Sequence, residues 1–585
     1  MYFLIKYKEE TRHEKTNMGR PADSVPAAGV LADGTVLRAG SDGGWVPIRA
    51  DGKRKSIPCA INFPISLEIK VFIEFKYKKQ VVFDTTECIR EVKIMKRKAA
   101  ALLLTTIMIT LVGCGGKDVS GSGTNASDES NSNLVSGDVQ NAEDKNNDIP
   151  ADAMKIGTVE ELEKFVELVN SGETKLNAVL TADLDLSGKY GEGTEGWQGI
   201  DYYDGIFDGN GHVISGFIMN FPHDNDVGFF MRCDADSVIR NLEIRDAVYE
   251  VFLGGSIVGD TDGTVEKCKS SAVIHGNQVG GIAGHSNLTK GCVFSGEISA
   301  MDSAGGICWN GYAVEGCRNE GTITCLEEKD ITSASAGGIA VGLFDYARDC
   351  VNAGTVDGGI GKAGGILSGK CDLISNCRNE GTVSAAIAGG IVGSTTGYSE
   401  ERTILNCENI GAVHGTGEKG YGAGIIGGMD HKGQIINCSS TGIVEATYYA
   451  AGILALTPGA GTQRIINCYS TGTIASTGDH TMACAAGISM GTVKECQNCF
   501  TNADIQTNNY CSAIRRNQSE EDGCYYVNTI RQINKDGETE TPGALAAEAF
   551  TDGTLLQFLN DSINGIEGEL CGWKQGDQEP VFDWQ

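Results

Sequence analysis

Proline is scarce, with 10 residues in a chain of 585. That excludes a collagen-like or polyproline chain, and it leaves few places where a strand ladder would lose a backbone donor. Histidine is scarcer still, at 8, and lacks the spacing of a zinc cluster. Basic residues are outnumbered, 47 Lys and Arg against 77 Asp and Glu, so the formal net charge is -30. Such a chain does not offer the basic face that nucleic acid demands. The motifs H-E-x-x-H and G-x-x-x-x-G-K-[ST] are absent. With them go the common zinc-protease and phosphate-loop sites.

Glycine is plentiful, 80 of 585, about twice ordinary usage. Much Gly with little Pro suits tight turns between unbroken strands. The 21 cysteines must be read by their spacing. The length fits several ordinary domains or one long repetitive one.

Residues 95–114 read MKRKAAALLLTTIMITLVGC. Lys96, Arg97 and Lys98 precede an apolar run of fifteen, Ala99 to Gly113, and Cys114 follows at once. Fifteen falls short of the roughly 20 residues of a membrane span and fits a signal-peptide core. The stretch resembles a bacterial lipoprotein signal peptide, with Leu111-Val112-Gly113-Cys114 matching the lipobox at each place. The resemblance implies removal of residues 95–113 and diacylglycerol on the Cys114 thiol. That lipid would anchor the chain to the membrane on its extracellular face. Residues 114–154 are rich in Ser, Asn, Asp and Gly and read as a flexible tether. Met95 stands where a signal peptide begins. Residues 1–94 are net positive and share no repeat with the remainder. They are expected to be an upstream mis-start or a disordered extension, and peptides recovered from residues 1–90 would refute the mis-start.

Residues 155–175 carry Val159, Leu162, Phe165, Val166 and Val169 at helical spacing, with Thr158 and Glu161 in a capping-box pattern. This predicts one amphipathic capping helix. From residue 176 to about 530 short alternating strands take over. A small-small-Ile element ends at Ile282, Ile307, Ile339, Ile366, Ile391, Ile425, Ile453 and Ile488. Between these stands Cys-x-[Asn/Ser]-x-Gly-x-[Ile/Val], with cysteines at 268, 292, 317, 350, 377, 407, 438, 468 and 496. A fixed-order unit of this period, without a helix in it, marks a β-solenoid. The fold class predicted is all-β, a right-handed parallel β-helix, with residues 531–585 as a short C-terminal cap.

In such a fold equivalent residues stack along the axis. The cysteines are expected to point inward as small hydrophobes. Asn319, Asn352, Asn379 and Asn409 are expected to form an amide ladder, and the following Gly to turn with positive φ. Coil spacing near 4.8 Å does not suit disulfides between ladder neighbours. Cys496 and Cys499 form one lone Cys-x-x-Cys, while Cys308, Cys371 and Cys484 stay unassigned.

These motifs, with FDGNGHVISG and SVIRNLEI before them, resemble the GLUG-motif, adhesin-like β-helix proteins of bacterial surfaces. AFTDGTLLQFLN and CGWKQGDQEPVFDW resemble the helix and final strand that close such proteins. The resemblance covers residues 155–585.

Two regions compete as sites. The Asp-rich stretch Asp183 to Asp262 holds Asp204, Asp208, Asp224 and Asp226, with His212 and His223. Asp224 and Asp226 are the calcium candidates, although Asp and Asn also favour turns for their geometry alone. The loops between the Ile and Cys elements carry Trp309, Tyr312, Phe344, Tyr346 and Tyr398, aromatic faces suited to a glycan or protein ligand. The sequence therefore reads as a lipid-anchored, extracellular, adhesin-like protein that binds without catalysis and needs no cofactor. The alternatives are a polysaccharide lyase or glycoside hydrolase using Asp208 or Asp226, and a plain structural spacer.

Overall fold

The computed structural model describes residues 150–585, apart from 327–333, 396–401, 431, 458–460, 480, 516–522, 535–536 and 540–541, and the backbone of five short N-terminal strands. Two compact units divide the chain, Met1–Gln140 and Asn141–Gln585. In the first, Ala28–Val30, Val36–Ala39 and Trp45–Ile48 form an antiparallel sheet, and Val71–Glu74 pairs antiparallel with Gln80–Phe83. The expectations for Met95, the signal peptide and Cys114 fall outside the described residues.

The second unit is the expected parallel β-helix. It opens on helix α1 (Val159–Asn170), whose Thr158 hydroxyl accepts from the Glu161 amide at 3.3 Å. The Glu161 carboxylate accepts in turn from the Gly157 amide at 2.8 Å. Leu162, Phe165 and Val169 are buried, and Phe165 packs on Tyr203 and Phe207 at 5.8 and 5.6 Å between ring centroids. The helix thereby covers the open end of the first coils, which a solenoid requires. A short helix α2 (Ser187–Tyr190) follows, and the early coils are filled by aromatic rings, with Trp197 stacked on Phe229 at 4.9 Å.

Each coil then runs through three parallel sheets. A strand of the first sheet, such as Leu373–Ser375, ends in a turn. The ladder cysteine and a two-residue strand of the second sheet follow, for example Arg378–Asn379. The third sheet takes over with strands such as Thr382–Ala385 and Ile387–Gly389. The Ile of the small-small-Ile element then turns the chain back, and all eight of these isoleucines are fully buried. Pairing is in register from coil to coil: Cys317 precedes Arg318, which pairs with Val351, which pairs with Arg378.

The cysteine column is real and hydrogen-bonded. The Cys292 amide donates to Cys317 Sγ at 3.3 Å, and Cys317 Sγ donates to the Thr289 carbonyl at 3.6 Å. The Asn column is also present. Asn319 Nδ2 donates to Asn352 Oδ1 at 2.7 Å, Asn352 to Asn379 at 2.8 Å, and Asn379 to Asn409 at 2.7 Å. Ser440 continues it at 3.4 Å from Asn409. The Arg318–Glu320 pair faces outward at 2.8 Å, and Arg318 also reaches Glu380 at 3.1 Å, spanning the coil between.

Two expectations need correction. The ninth ladder cysteine is Cys499, not Cys496: the Cys468 amide donates to Cys499 Sγ at 3.4 Å. Cys496 lies in the first sheet, in register with Ile465. The positive φ is also elsewhere. It falls on the residue before each ladder cysteine, Lys267, Gly291, Gly316, Asp349, Asn376, Asn406, Asn437, Asn467 and Asn498, and in earlier coils on Asn210 and Asn241, before Gly211 and Leu242, at 52–60°. Asn, Asp and Gly tolerate that left-handed corner best. The Gly after the Asn serves close approach instead: a Cβ on Gly381 would lie 1.9 Å from the Gly354 carbonyl oxygen.

The left-handed corner carries a second amide ladder, outside the first. Asn406 donates to Asn376, Asn437 to Asn406, Asn467 to Asn437 and Asn498 to Asn467, at 2.7–3.2 Å. The C-terminal segment docks along it. Helix α3 (Thr554–Ile563) and the hairpin Trp573–Gln575 with Pro580–Phe582 lie against three coils. Asn437, Asn467 and Asn498 donate to the carbonyls of Glu569, Cys571 and Leu559. Tyr469 and Phe500, which hold the outward place of Arg318 and Arg378, stack at 5.0 Å and meet Trp573 and Phe582. The cap is thus a flank-hugging clasp rather than a lid.

None of the eighteen cysteines among the described residues is in a disulfide, and all but Cys571 are buried. Cys317 and Cys377 are each 1% exposed, and burial pushes both thiols well up from their ordinary range. Both should therefore react with a thiol reagent about a hundredfold more slowly in the folded chain than in urea. Mass-resolved labelling measures this, and equal rates would contradict an inward ladder.

Candidate functional site

The aromatic loops of the sequence converge at one corner of the rod. Gly305 and Gly337 make the corner sharp, because a Cβ there would sit 2.0 and 1.9 Å from the carbonyls of Cys308 and Ala340. Beyond the corner Cys308, Ala340 and Leu367 are in register, so Trp309, Val341 and Ser368 follow at one height. Before it Ser303, Ser335 and Lys362 are in register on the third sheet. Between these two rows lies a groove of about 440 Å³, lined by Trp309, Asn310, Phe344, Ser335, Lys362 and Lys370 among others.

Its rim is an aromatic stripe running along the axis. His285 meets Tyr312 edge-on at 6.4 Å, and Tyr312 meets Phe344 at 5.3 Å. Lys370 Nζ lies 5.0 Å from the Phe344 ring centroid, a cation–π distance. Phe344 is 40% exposed, so the stripe presents apolar surface to water. Lys362 is more enclosed. Burial lowers its pKa from the ordinary lysine value, opposed by the charge of Asp430.

Of the predicted aromatic set, Trp309, Tyr312 and Phe344 come together. Tyr346 stands further along its strand, under the Arg348 guanidinium at 4.9 Å. Its neighbours are a charged ladder in which Glu315 accepts from Arg348 at 2.7 Å and pairs with Lys290 at 3.4 Å. The Arg348 bond above all holds the Glu315 carboxyl below its usual range. Tyr398 lies outside the described residues. Lys362 and Lys370 were missed. Aligning the repeats shows the signal, since Lys362 stands where earlier coils have Ser303 and Ser335.

The Asp-rich early coils are organised differently. Asp208 is buried and accepts from Arg240 Nε at 2.8 Å, Asn241 Nδ2 at 3.0 Å and the Asn210 amide at 2.8 Å. It braces the left-handed corner. Asp226 is held by Arg232 at 2.7 Å, Asp204 by Lys175 at 2.8 Å, and His212 by Asp183 at 3.0 Å. Asp224 joins the chain turn through its backbone, its amide donating to the Phe221 carbonyl at 3.2 Å. Among the described residues, the one group of three or more acidic, His or Cys side chains close enough to share a metal ion is Cys496, Cys499 and Cys524. A larger groove, about 650 Å³ between Asn502 and Ile533, has no aromatic ring in its lining. No described helix is long and apolar enough to cross a membrane.

No protein-family model matches the chain. No curated protein matches it either. Among solved structures, it matches a Bacteroides ovatus protein provisionally described as an immunoglobulin A1 protease, at 16% identity. The match covers 74% of this chain and 92% of that one, with a TM-score of 0.19.

Proposed function

We propose that this chain is a lipid-anchored, extracellular, adhesin-like β-helix that binds a carboxylate-bearing glycan and performs no chemistry on it. The supporting observation is the groove itself. It combines the faces of Trp309 and Phe344 with Ser335, Asn310 and two ammonium groups, Lys362 and Lys370, in a chain whose net charge is -30. Sugar rings stack on aromatic faces, and their hydroxyls take amide and hydroxyl partners. A carboxylate seated beside Lys362 would add to the charge of Asp430 in offsetting the desolvation of its ammonium. The rigid rod keeps the groove preformed, so little ordering entropy opposes binding.

The test is a binding titration with acidic and neutral oligosaccharides of equal length. Acidic ones should bind, and Trp309→Ala and Lys370→Gln should each weaken binding about tenfold, near 1.4 kcal/mol. Equal affinity for both sugar classes would refute the charge argument. Release of reducing or unsaturated sugar ends would move the protein to the enzyme alternative. Anchoring through Cys114 is tested separately, since Cys114→Ser should release the chain from the membrane fraction.

A further inference from the structure

Near the end of the rod the thiol column changes character. In four successive coils the first-sheet residue three places before the ladder cysteine is a buried isoleucine: Ile374, Ile404, Ile435 and Ile465. In the next coil Cys496 takes that place, in register with Ile465. Cys499 continues the ladder, and Cys524 follows it one coil later, because Phe500 pairs with Tyr525. Three sulfurs therefore meet within 4.8 Å of one another, with Cys496 Sγ and Cys524 Sγ 3.8 Å apart. The residues are 0%, 0% and 3% exposed. Packing alone gives no reason for the exchange, since Cys fills less volume than the Ile of the coils below and a smaller core residue costs stability.

We propose that Cys496, Cys499 and Cys524 form a binding site for a soft d10 metal cation, held by three thiolates between the last coils. Soft thiolate donors select monovalent copper and zinc over hard cations. No carboxylate or imidazole among the described residues joins the group. An all-sulfur set of three suits monovalent copper, whereas zinc asks for a fourth ligand. Binding is ligand exchange without oxidation or reduction. Each ligating thiol gives its proton to solvent as its S–metal bond forms. Protons therefore compete with the ion, and occupancy falls as pH falls. The ion would tie the coil of Cys496 and Cys499 to that of Cys524.

The full chain, produced in copper-supplemented or zinc-supplemented medium and purified without oxygen, is assayed for metal content and for coordination by X-ray absorption. The expected result is about one copper per chain with a sulfur-only shell. Cys496→Ile should lose it, and that variant restores the residue of the four coils below, so the core stays filled. Should it fail to fold, Cys499→Ser must show the same loss. Zinc at equal stoichiometry, lost in the same variants, would support the trithiol site and assign it to zinc. The proposal is overturned by a wild-type chain without metal or by equal metal in Cys496→Ile. A Cys496–Cys524 disulfide in protein isolated without reductant would also overturn it.

Discussion

Asn379→Ala is expected to destabilise the β-helix by about 3–6 kcal/mol, because two or three buried polar groups lose their partner at about 1–3 kcal/mol each. The side chain is fully buried. Its Oδ1 accepts from Asn352 at 2.8 Å, and its Nδ2 donates to Asn409 at 2.7 Å and to the Gly381 carbonyl at 3.1 Å. Asn352 Nδ2 keeps a bond to the Gly354 carbonyl at 3.3 Å, but Asn409 Oδ1 and the Gly381 carbonyl are left short. Glycines wall the site. A Cβ on Gly365 would stand 2.4 Å from Asn379 Oδ1, and one on Gly411 would stand 2.8 Å from Nδ2. Nothing nearby can grow into the space. Asn379→Ser should be milder, about 1–2 kcal/mol, since a hydroxyl replaces part of the pairing. Ser440 and Ser470 already hold this place in later coils. Urea titration measures both, and an Ala variant within about 0.5 kcal/mol of wild type would deny the ladder any stabilising role.

Gly390→Ala is expected to cost at least about 3 kcal/mol, at the upper end of overpacking effects. The added Cβ would lie 2.1 Å from the Gly424 carbonyl oxygen and 2.4 Å from the Asn409 amide. Neither obstacle can rotate away, since one is backbone and the other is pinned by Asn379. Relief requires neighbouring coils to part, which breaks the bond from the Gly390 amide to the Ala423 carbonyl. Both substitutions strike the Asn379–Asn409 contact, so their effects should not add. A double variant no worse than Gly390→Ala alone would demonstrate that coupling, and full additivity would refute it. Thermal unfolding of the four chains measures the cycle.

Stacking explains which features were legible in the sequence. The inward column repeats one environment many times, so Cys317 and Cys377 with their asparagines stood out as copies of one unit. The left-handed column did not. Its members are Lys267, Gly291, Asp349 and Asn376 among others, united by tolerance of positive φ rather than by side-chain chemistry. Cys496 and Cys499 are three residues apart, and either fits the repeat by eye. The pairing of Tyr469 with Phe500 decides between them. The groove was half legible. Trp309, Tyr312 and Phe344 announced themselves as aromatic, while Lys362 needed its neighbours in adjacent coils to look unusual. The Asp-rich stretch drew attention by composition, yet Asp208 and Asp226 are held by Arg240 and Arg232, partners that lie in other strands or turns.

The flanking clasp has a mechanical consequence. Gln585 contacts three successive coils at once, through Glu408, Ser439 and the Tyr469 hydroxyl. A tensile load at that residue is divided among coils rather than delivered to the outermost one. Bonds loaded together resist as a group, whereas a terminal coil pulled alone would peel away and expose the next. A rod closed this way yields late and abruptly, with a single large force peak expected where an unclasped solenoid would unwind in a series of small steps.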